Sequence, residues 1–485
     1  MNSGLWLGID LGTQGVRTVL ADTSGRVVGE GRAAFGHRTD PVGAMTHDPV
    51  ADWTACTLGA IHAAIREVDR AQIAGVGACG LFPALACLDK AGQPVGDAVL
   101  YGDGRAKGYV RKVEASLGAT LTGDEVSPRL LWLRETQPAE FGRAAVVVGP
   151  TGFVTHLLTG RAVIDPHSAF RWGGLVDAAR AGWSNAATAA LNIDPGLLPE
   201  IVAPHEWVGS VTPAAASTTG LAVGTPVIGG TTDSFATLVG HGAVRTGDTV
   251  VYYGSSWTVL AVTADLEEIL DDPRRIDSDV PWQLAAYAID SGRFIERLRL
   301  SMFGGRSYDE LDALAAAVPA GARGVVVIPS PTGRFDGRRI TPSSGAVLGF
   351  GLEHTPADLW RAALESLGYI AAQGLERIET PVQRVVAAGG GAGSATWRGI
   401  VDELTGVRQR HHPQASAALG AAFLTAYGLG GVSSLDPISE GWLSERSSAP
   451  AAPEAHQTHR HAAERRAWRI YEGALAGGTE AEPLG

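Results

Sequence analysis

Hydrophobic and polar positions alternate near the N-terminus, as they do in β-strands that bury one face. Apolar residues occupy alternate positions over 5–9, and 16–20 is a second apolar segment. Between them, the sequence Gly-Thr-Gln-Gly at 12–15 predicts a tight reversal, because glycine tolerates the positive φ that such turns require. A turn at 22–25 and a third strand over 26–35 follow. The pattern therefore predicts an antiparallel β-meander at the start of the fold.

Helical spacing of apolar residues appears next, over 52–68, after an Asp-Pro pair that can start a helix. Strands over 73–79 and 84–88 follow, so the predicted order is β-β-β-α-β with additional elements. Further along, 358–377 is the clearest amphipathic helix, and a strand over 385–388 leads into a glycine-rich turn. The glycines of that turn are too closely spaced for the dinucleotide-binding fingerprint, which disfavours a Rossmann fold.

The opening pattern recurs in the second half of the chain. Around Gly254 and Ser255, an apolar segment, a glycine-hydroxyl turn and another apolar segment follow one another. The chain of 485 residues also exceeds the roughly 250–300 residues at which a single hydrophobic core stops growing. The sequence therefore predicts two related domains, over 1–243 and 244–445, with a cleft between them and a C-terminal tail and helix over 446–485.

Composition and charge exclude several classes of function. The net charge is −12 and the basic residues are scattered, which argues against a nucleic-acid or anionic-membrane surface. We expect neither a membrane helix nor a secretory signal, and hence a cytoplasmic protein with no membrane partner. The sequence leaves open whether the protein forms a homodimer. The three cysteines lack metal-ligand spacing and predict buried thiols, whereas His411 and His412 lie in polar sequence and predict surface histidines.

The first turn has the chemistry of a phosphate-binding site. A phosphate can approach the bare backbone at Gly12, and the donors would be Thr13, Gln14 and Arg17. Asp10 would repel phosphate, so its position makes sense if a magnesium ion stands between the two. The alternative is an ordinary hairpin at the start of a sheet, with an unrelated aspartate beside its turn.

Short motifs occur in a definite order along the chain. They are Gly-Ile-Asp-Leu-Gly-Thr-Gln at 8–14, the Asp-Pro and Trp of 48–53, Tyr-Gly-Asp-Gly-Arg at 101–105, Leu-Thr-Gly at 158–160, Gly-Gly-Thr-Thr-Asp at 229–233, Gly-Ser-Ser at 254–256, the segment 345–365 and the glycine-rich 389–394. In this order and spacing they resemble the motifs of the FGGY carbohydrate kinases, within the actin-like ATPase superfamily. The resemblance covers nearly the whole chain, and within the family the spacing is most similar to the xylulokinases.

The resemblance implies a fold, an activity and a set of site residues. The fold would be α/β, with two actin-like (ribonuclease H-like) domains, each a mixed sheet of five-stranded type flanked by helices. The activity would be ATP-dependent phosphorylation of a sugar or polyol hydroxyl, with Asp233 as general base and Asp10 as the ligand of Mg²⁺. The residues implied to bind the nucleotide are Thr13, Gln14, Arg17, Gly254, Ser255, Gly390 and Gly391. Those implied to contact the sugar are Leu81, Phe82, Asp103 and Arg105.

The substrate side departs from the family pattern. Where xylulokinases usually have Gly-Gln-Met-His-Gly, this chain has Ala-Cys-Gly-Leu-Phe-Pro at 78–83, without the polar side chains that would contact a ketopentose. Arg129 stands where the first family signature usually has lysine, and Ser255 replaces a threonine while keeping the hydroxyl. The phosphate motifs are thus nearly intact, and the choice of sugar is the part that the resemblance leaves open.

Several alternatives remain at this point. Asp233 would also suit the N-cap of a helix beginning at Ser234, and Asp103 with Arg105 would suit a surface pair. Gly390 and its neighbours would suit a plain turn between a strand and a helix. Two other functions are open: an actin-like ATP-binding sensor that transfers no phosphate, and a nucleotide-dependent hydrolase whose acceptor is water.

Overall fold

The structure is a computed structural model that describes residues 4–177, 182–271, 282–289, 291–329, 333–335, 340–341 and 345–443. Its strands are β1 (Leu5–Gly12), β2 (Gly15–Asp22), β3 (Val27–Ala34), β4 (Arg38–Thr39), β5 (Met45–His47), β6 (Ile73–Gly80), β7 (Leu85–Leu88), β8 (Pro94–Val99), β9 (Val146–Val148), β10 (Val163–Ile164), β11 (Val176–Asp177), β12 (Gly182–Trp183), β13 (Glu200–Ile201), β14 (Trp207–Ser210), β15 (Pro226–Ile228), β16 (Thr231–Thr232), β17 (Asp248–Tyr253), β18 (Trp257–Val262), β19 (Trp282–Ile289), β20 (Val326–Ile328), β21 (Gly333–Phe335), β22 (Ile340–Thr341), β23 (Ala346–Leu348), β24 (Arg384–Ala388) and β25 (Gln409–His411).

Its α-helices are α1 (Ala55–Ile65), α2 (Val110–Leu117), α3 (Val126–Thr136), α4 (Pro138–Phe141), α5 (Pro150–Thr159), α6 (Pro166–Phe170), α7 (Asn185–Ala190), α8 (Pro213–Thr219), α9 (Asp233–Gly240), α10 (Leu266–Asp271), α11 (Ser291–Met302), α12 (Tyr308–Ala316), α13 (Pro356–Arg377), α14 (Ala395–Thr405) and α15 (Ala417–Gly428). A turn of π-helix, Pro49–Thr54, precedes α1. The predicted tail and helix over 446–485 lie outside the described residues.

The chain divides into two compact units. The first contains the described residues of Met1–Val244, Leu266–Val280 and Gln414–Glu445, and the second contains those of Arg245–Asp265 and Pro281–Pro413. The compact units differ from the sequence-defined domains mainly because α15 returns to the first unit. The domain limits drawn from the sequence stay a prediction.

The first unit is built on a mixed sheet. Its strand order is β14-β15-β6-β1-β2-β3, with β16 also paired to β6. The antiparallel pairing of β1 with β2 and of β2 with β3 confirms the predicted meander, whereas β6 is parallel to β1. In the described part of the chain this sheet has seven strands rather than five, because the short β14 and β16 add to it.

Helix packing fixes β1 in this sheet. α1 packs on β2 and β3, and α15 packs on β1 and β6. A Cβ atom at Gly8 would lie 1.9 Å from the carbonyl oxygen of Ala418, so α15 can approach β1 this closely only over a glycine. Because β1 is buried along most of its length, the residues at its carboxyl end are held in a rigid frame.

A second, smaller sheet of the first unit has the order β4-β5-β8-β7-β9. β5 pairs with β8, and β7 pairs with both β8 and β9. This sheet brings His47, the last residue of β5, and the loop after β8 into the neighbourhood of the first sheet. The sequence pattern predicts β7 but not this sheet.

The second unit repeats the arrangement of the first. Its sheet has the order β22-β21-β19-β18-β17-β24-β25. β17 is antiparallel to β18 and parallel to β24, as β1 is antiparallel to β2 and parallel to β6. α13 packs on β18 and β19 and also on α14. The predicted recurrence of one supersecondary device in two related domains is confirmed.

Most of the individual elements are confirmed as well. The predicted helix over 52–68 corresponds to the π-turn and α1, and the one over 358–377 corresponds to α13. The carboxylate of Asp48 accepts from the amides of Val50 and Ala51, which explains why the helix begins there. None of the described helices combines the length and apolar character that crossing a bilayer requires.

Candidate active site

The turn between β1 and β2 is a short hairpin connection. Gly12 pairs with Gly15, which leaves Thr13 and Gln14 at the tip. Of the two glycines, Gly15 has a positive φ of 149°, and a Cβ atom there would lie 2.4 Å from a β3 carbonyl oxygen. Gln14 and the side chain of Arg17 are exposed, and Thr13 is half-buried. The predicted phosphate-binding residues are therefore grouped and accessible at one end of the sheet.

Asp10 and Asp233 are brought together by two strands that share a neighbour. β1 and β16 both pair with β6 in parallel, and Cys79 of β6 is the register partner of Asp10 in β1 and of Thr231 in β16. Asp233 follows β16 directly. Because the carboxyl ends of parallel strands lie at one edge of a sheet, two aspartates far apart in the sequence lie at the same edge.

The pKa values show that these two carboxylates interact. Burial raises the pKa of Asp10 to about 6, although the charge of Arg17 and a hydrogen bond from the Cys79 thiol lower it. Burial raises the pKa of Asp233 to about 7, and the negative charge of Asp10 adds to the rise. Burial and the two carboxylates raise the pKa of the Cys79 thiol well above its ordinary value. At neutral pH the site thus contains two weakly acidic carboxyl groups and a protonated thiol.

Asp233 is the first residue of α9 and not its cap. The N-cap is Thr232, whose side-chain oxygen accepts from the amide of Phe235 at 3.2 Å. The alternative that Asp233 caps the helix is therefore wrong, because the cap position belongs to the preceding residue. The hydroxyl of Ser234 donates to Asp233 Oδ1 at 3.3 Å. The dipole of α9 favours the charged form of Asp233, because this residue lies at the N-terminus of the helix.

A buried cluster packs against β16 and the start of α9, and no local sequence pattern predicts it. Asp165 Oδ1 caps α6 by accepting from the amides of His167 and Ser168, and it also accepts from the hydroxyl of Thr231 at 3.4 Å. The ring of His167 stacks on Phe235 with centroids 5.2 Å apart. The Asp-Pro pair before α6 signals a helix start, but nothing local shows that this helix end contacts β16.

The predicted sugar pair, Asp103 and Arg105, is not a surface pair. Asp103 is buried, and the guanidinium of Arg105 donates to both of its oxygens at 2.7–3.1 Å. The amides of Met45 and Arg105 each donate to this carboxylate at 3.0 Å, and the guanidinium lies 4.3 Å from the ring centroid of Trp132. These contacts join β5 to the loop after β8, so any role of Asp103 toward a sugar hydroxyl adds to this structural one.

The two apolar residues predicted to contact the sugar occupy different environments. Leu81 is 1% exposed within the core of the first sheet, and its amide donates to the Leu11 carbonyl at 2.9 Å. Phe82 is half-buried. The guanidinium of Arg129 donates to the carbonyls of Pro83 (3.3 Å) and Tyr101 (2.8 Å), and burial lowers its pKa to about 10. Of the two, Phe82 has the side chain that a ligand can reach.

Two glycine turns lie side by side in the second unit, at the carboxyl ends of β17 and β24. A Cβ atom at Gly389 would lie 2.7 Å from the Tyr253 carbonyl oxygen, which places the two turns in contact. The amide of Gly254 donates to the Ser256 carbonyl at 3.2 Å. Ser255 and Gly390 are exposed. The predicted nucleotide residues of this unit are thus adjacent.

Buried side chains support these turns. Tyr253 and Trp397 pack edge to face, and a Cβ atom at Gly391 would lie 2.8 Å from the Trp397 ring. The Tyr253 hydroxyl donates to Gln409 Oε1 at 2.9 Å, and Gln409 Nε2 donates to Asp402 Oδ1 at 2.8 Å. A guanidinium nitrogen of Arg398 donates to the Ala392 carbonyl within the turn. These contacts fix the conformation of the glycine turn between β24 and α14, and its role toward the nucleotide stays a prediction.

The predictions for cysteine and histidine have a mixed outcome. Cys79 and Cys87 are buried as predicted, and Cys56 is half-buried. The surface prediction is wrong for His412, which is 8% exposed because β25 carries this segment against the sheet. Burial, together with nearby arginines, lowers the pKa of His412 to about 4.

The carboxylates of the first unit suit a magnesium ion. In the described part of the chain, no group of three or more His, Cys, Asp and Glu side chains could hold a metal by itself. Proteins usually bind Mg²⁺ through one or two carboxylates, with waters and substrate phosphates completing its shell. Asp10 and Asp233 are two partly buried carboxylates with raised pKa values. A divalent cation would stabilise their ionised forms.

Comparisons with known proteins agree with this geometry. The N-terminal domain model of the FGGY family of carbohydrate kinases matches residues 5–240, and the C-terminal domain model matches residues 225–429. A xylulose kinase of Bacillus subtilis is 26% identical over 94% of both chains, and an autoinducer-2 kinase of Yersinia enterocolitica is 28% identical over 90% of this chain and 88% of its own. The crystal structure of a xylulose kinase from Rhodospirillum rubrum superposes with a TM-score of 0.80 at 27% identity, over 98% of this chain and 100% of its own. The chain therefore belongs to the FGGY family of carbohydrate kinases and is an ATP-dependent phosphotransferase.

Proposed function

We propose that this kinase phosphorylates a hydroxyl of a ketose or polyol, with Asp233 as the general base and magnesium-bound ATP as the donor. The observation that carries the proposal is the position and pKa of Asp233. It begins α9 at the edge where β1 ends, beside Asp10, and its pKa is about 7. A general base works best when its pKa lies near the working pH, because it is then both ionised and basic enough to accept a proton.

The proton and the phosphoryl group move in a balanced step. The acceptor hydroxyl donates its proton to the Asp233 carboxylate, and its oxygen forms a bond to the γ-phosphorus of ATP. The bond between that phosphorus and the bridging oxygen breaks, and ADP leaves with the electron pair. Asp233 afterwards releases the proton to water. Thr13, Gln14 and Arg17 would donate hydrogen bonds to the phosphate oxygens during transfer.

Asp10 would hold the magnesium ion, either directly or through water. When bound, Mg²⁺ neutralises the charge of the phosphate oxygens and thereby stabilises the transition state. The charge of Arg17 and the Cys79 hydrogen bond both lower the pKa of Asp10, so they favour the ionised form that a cation requires. In the second unit, Gly254 and Ser255 would bind the nucleotide phosphates, and Gly390 and Gly391 would allow the adenosine to approach the backbone.

The acceptor site is proposed from the first unit. Phe82 is half-buried and follows β6 at the edge where Asp233 follows β16, since Gly80 and Thr232 are register partners. Asp103 and Arg105 would lie on the polar side of the acceptor. Two similar kinases are named for different acceptors, xylulose and autoinducer-2. An apolar side chain at this edge would favour an acceptor with an apolar carbon on that side.

A coupled assay of ADP release tests the proposal. Pentuloses, hexuloses, tetritols, glycerol and gluconate would be offered with Mg²⁺ and ATP, and we expect at least one to accelerate ADP release strongly. Asp233→Ala should lower turnover by about 10² to 10⁴ while ATP binding persists. ADP release that no acceptor accelerates would favour a hydrolase, and ATP binding without ADP release would favour a sensor. The homodimer predicted as an option is tested by light scattering after gel filtration.

A further inference from the structure

The tip of the first phosphate turn is bound to a histidine of the neighbouring small sheet. His47 Nε2 lies 3.1 Å from the carbonyl oxygen of Thr13, and His47 Nδ1 lies 2.9 Å from Trp53 Nε1. His47 and Trp53 are both 0% exposed. A chain of two hydrogen bonds thus runs from Trp53, near the end of the π-turn before α1, to the turn that contains Thr13.

The chemistry of the three groups defines the direction of this chain. An indole N–H can only donate, so Nδ1 of His47 must accept from Trp53. Nε2 then carries the remaining hydrogen of the neutral ring and donates to the Thr13 carbonyl, which can only accept. Burial lowers the pKa of His47 to about 4, so the ring is neutral at physiological pH. One tautomer satisfies both partners.

Gln14, the other tip residue, is held by the same group. The amide of Phe35 donates to the Gln14 carbonyl at 3.2 Å. The ring of Phe35 packs edge to face on the imidazole of His47, with centroids 4.9 Å apart. The backbone carbonyls of both tip residues are therefore bound by one group of contacting residues, the buried His47 and Trp53 and the half-buried Phe35.

We propose that His47 is a positioning residue for phosphate binding, which acts by holding the Thr13 carbonyl and thereby the conformation of the turn. This inference rests on the proposed role of Thr13 and Gln14 toward the nucleotide phosphates. His47 itself touches no substrate. A fixed placement of donors is what electrostatic stabilisation of a phosphate requires.

Two amide variants separate the two nitrogens of the ring. The amide nitrogen of Gln can occupy the place of Nε2 and donate to the Thr13 carbonyl, whereas the shorter Asn side chain reaches only the place of Nδ1. Both variants lose the ring and its packing on Phe35. His47→Gln and His47→Asn therefore form a matched pair that differs mainly in the bond to the turn.

The measurement is steady-state kinetics of the full chain at saturating Mg²⁺, together with thermal unfolding. We expect His47→Asn to raise the KM for ATP about two- to tenfold, the effect of one hydrogen bond, and His47→Gln to stay within about twofold of the unsubstituted protein. The KM for the acceptor should not change in either variant, and the two unfolding temperatures should fall equally.

The result that overturns the proposal is an equal KM for ATP in the Asn and Gln variants, or a loss that follows only the unfolding temperature. Failure of the proposed function has a different signature, namely no acceptor-dependent ADP release by the unsubstituted protein. In that case calorimetric titration with ATP decides the role of His47: weaker binding by the Asn variant than by the Gln variant supports it, and equal binding rejects it.

Discussion

The negative charge of Asp10 raises the pKa of Asp233. Burial raises it more, and together they bring the pKa of Asp233 to about 7. The two residues interact because β1 and β16 both run parallel to β6 and end at the same edge of the sheet. In the proposed role of Asp233 as general base, this interaction supplies the basicity that an aspartate lacks in water. The same pairing makes both groups sensitive to pH and to a cation.

The first prediction concerns the pH dependence of kcat/KM. Asp233 acts as a base only when it is ionised, so kcat/KM should fall as the pH drops through about 7. Asp10→Asn removes the negative charge that raises the pKa of Asp233, so the acid limb should move to lower pH even though the rate itself falls. Glu30→Gln, at an exposed position of β3, is the control and should leave the limb in place. A limb at the same pH in Asp10→Asn would contradict the coupling.

The second prediction concerns stability. The pKa of Asp233 is raised in the folded protein, so the stability associated with it is present below its ordinary pKa and lost as the pH rises through about 7. Asp233→Asn removes that loss and should raise the unfolding temperature at pH 8 by about 2–6 °C, with little change at pH 4. Thermal unfolding of the unsubstituted protein and of Asp233→Asn between pH 4 and pH 8 measures this difference in unfolding temperature. A lower unfolding temperature at pH 8 would show that Asp233 stabilises the fold.

The third prediction separates the thiol of Cys79 from its volume. The hydrogen bond from the Cys79 thiol lowers the pKa of Asp10. Loss of this bond should raise that pKa and so reduce the fraction of ionised Asp10, the form that binds magnesium. Cys79→Ala should raise the half-saturating Mg²⁺ concentration about two- to tenfold, the effect of one hydrogen bond. Cys79→Ser keeps a donor and should stay near the unsubstituted value. Equal Mg²⁺ dependence of the two variants would mean that the bond has no role in metal binding.

The fourth prediction distinguishes Leu81 from Phe82. Leu81 is a core residue, so Leu81→Ala should lower the free energy of unfolding by about 2–5 kcal/mol and leave the KM for the acceptor almost unchanged. Phe82 is half-buried, so Phe82→Ala should change the KM for the acceptor several-fold at a smaller cost in stability. Denaturant unfolding and acceptor kinetics of both variants test this. The reverse pattern would place Leu81 in the acceptor site.

Local patterns in the sequence predicted much of the fold and many of the candidate site residues. The β1–β2 hairpin, α13 and the turn after β24 follow from alternation, helical spacing and glycine placement, which depend on neighbours in the chain. The small sheet that carries His47 was not predicted, because three of its strands, β4, β5 and β9, have only two or three residues and so show little periodicity. The burial of His412 was missed for a similar reason, since its surroundings come from other segments.

The sequence by itself determined the two glycine-hydroxyl hairpins, Asp10 beside the first of them, Asp233 in its own motif, and the family to which the order of these motifs points. Only the tertiary structure decided which of these groups meet: Asp10 with Cys79 and Asp233, and Thr13 with His47. The physical reason is that turn geometry and periodicity are local properties, whereas burial and charge interactions, which set the pKa values, depend on parallel pairing between distant strands.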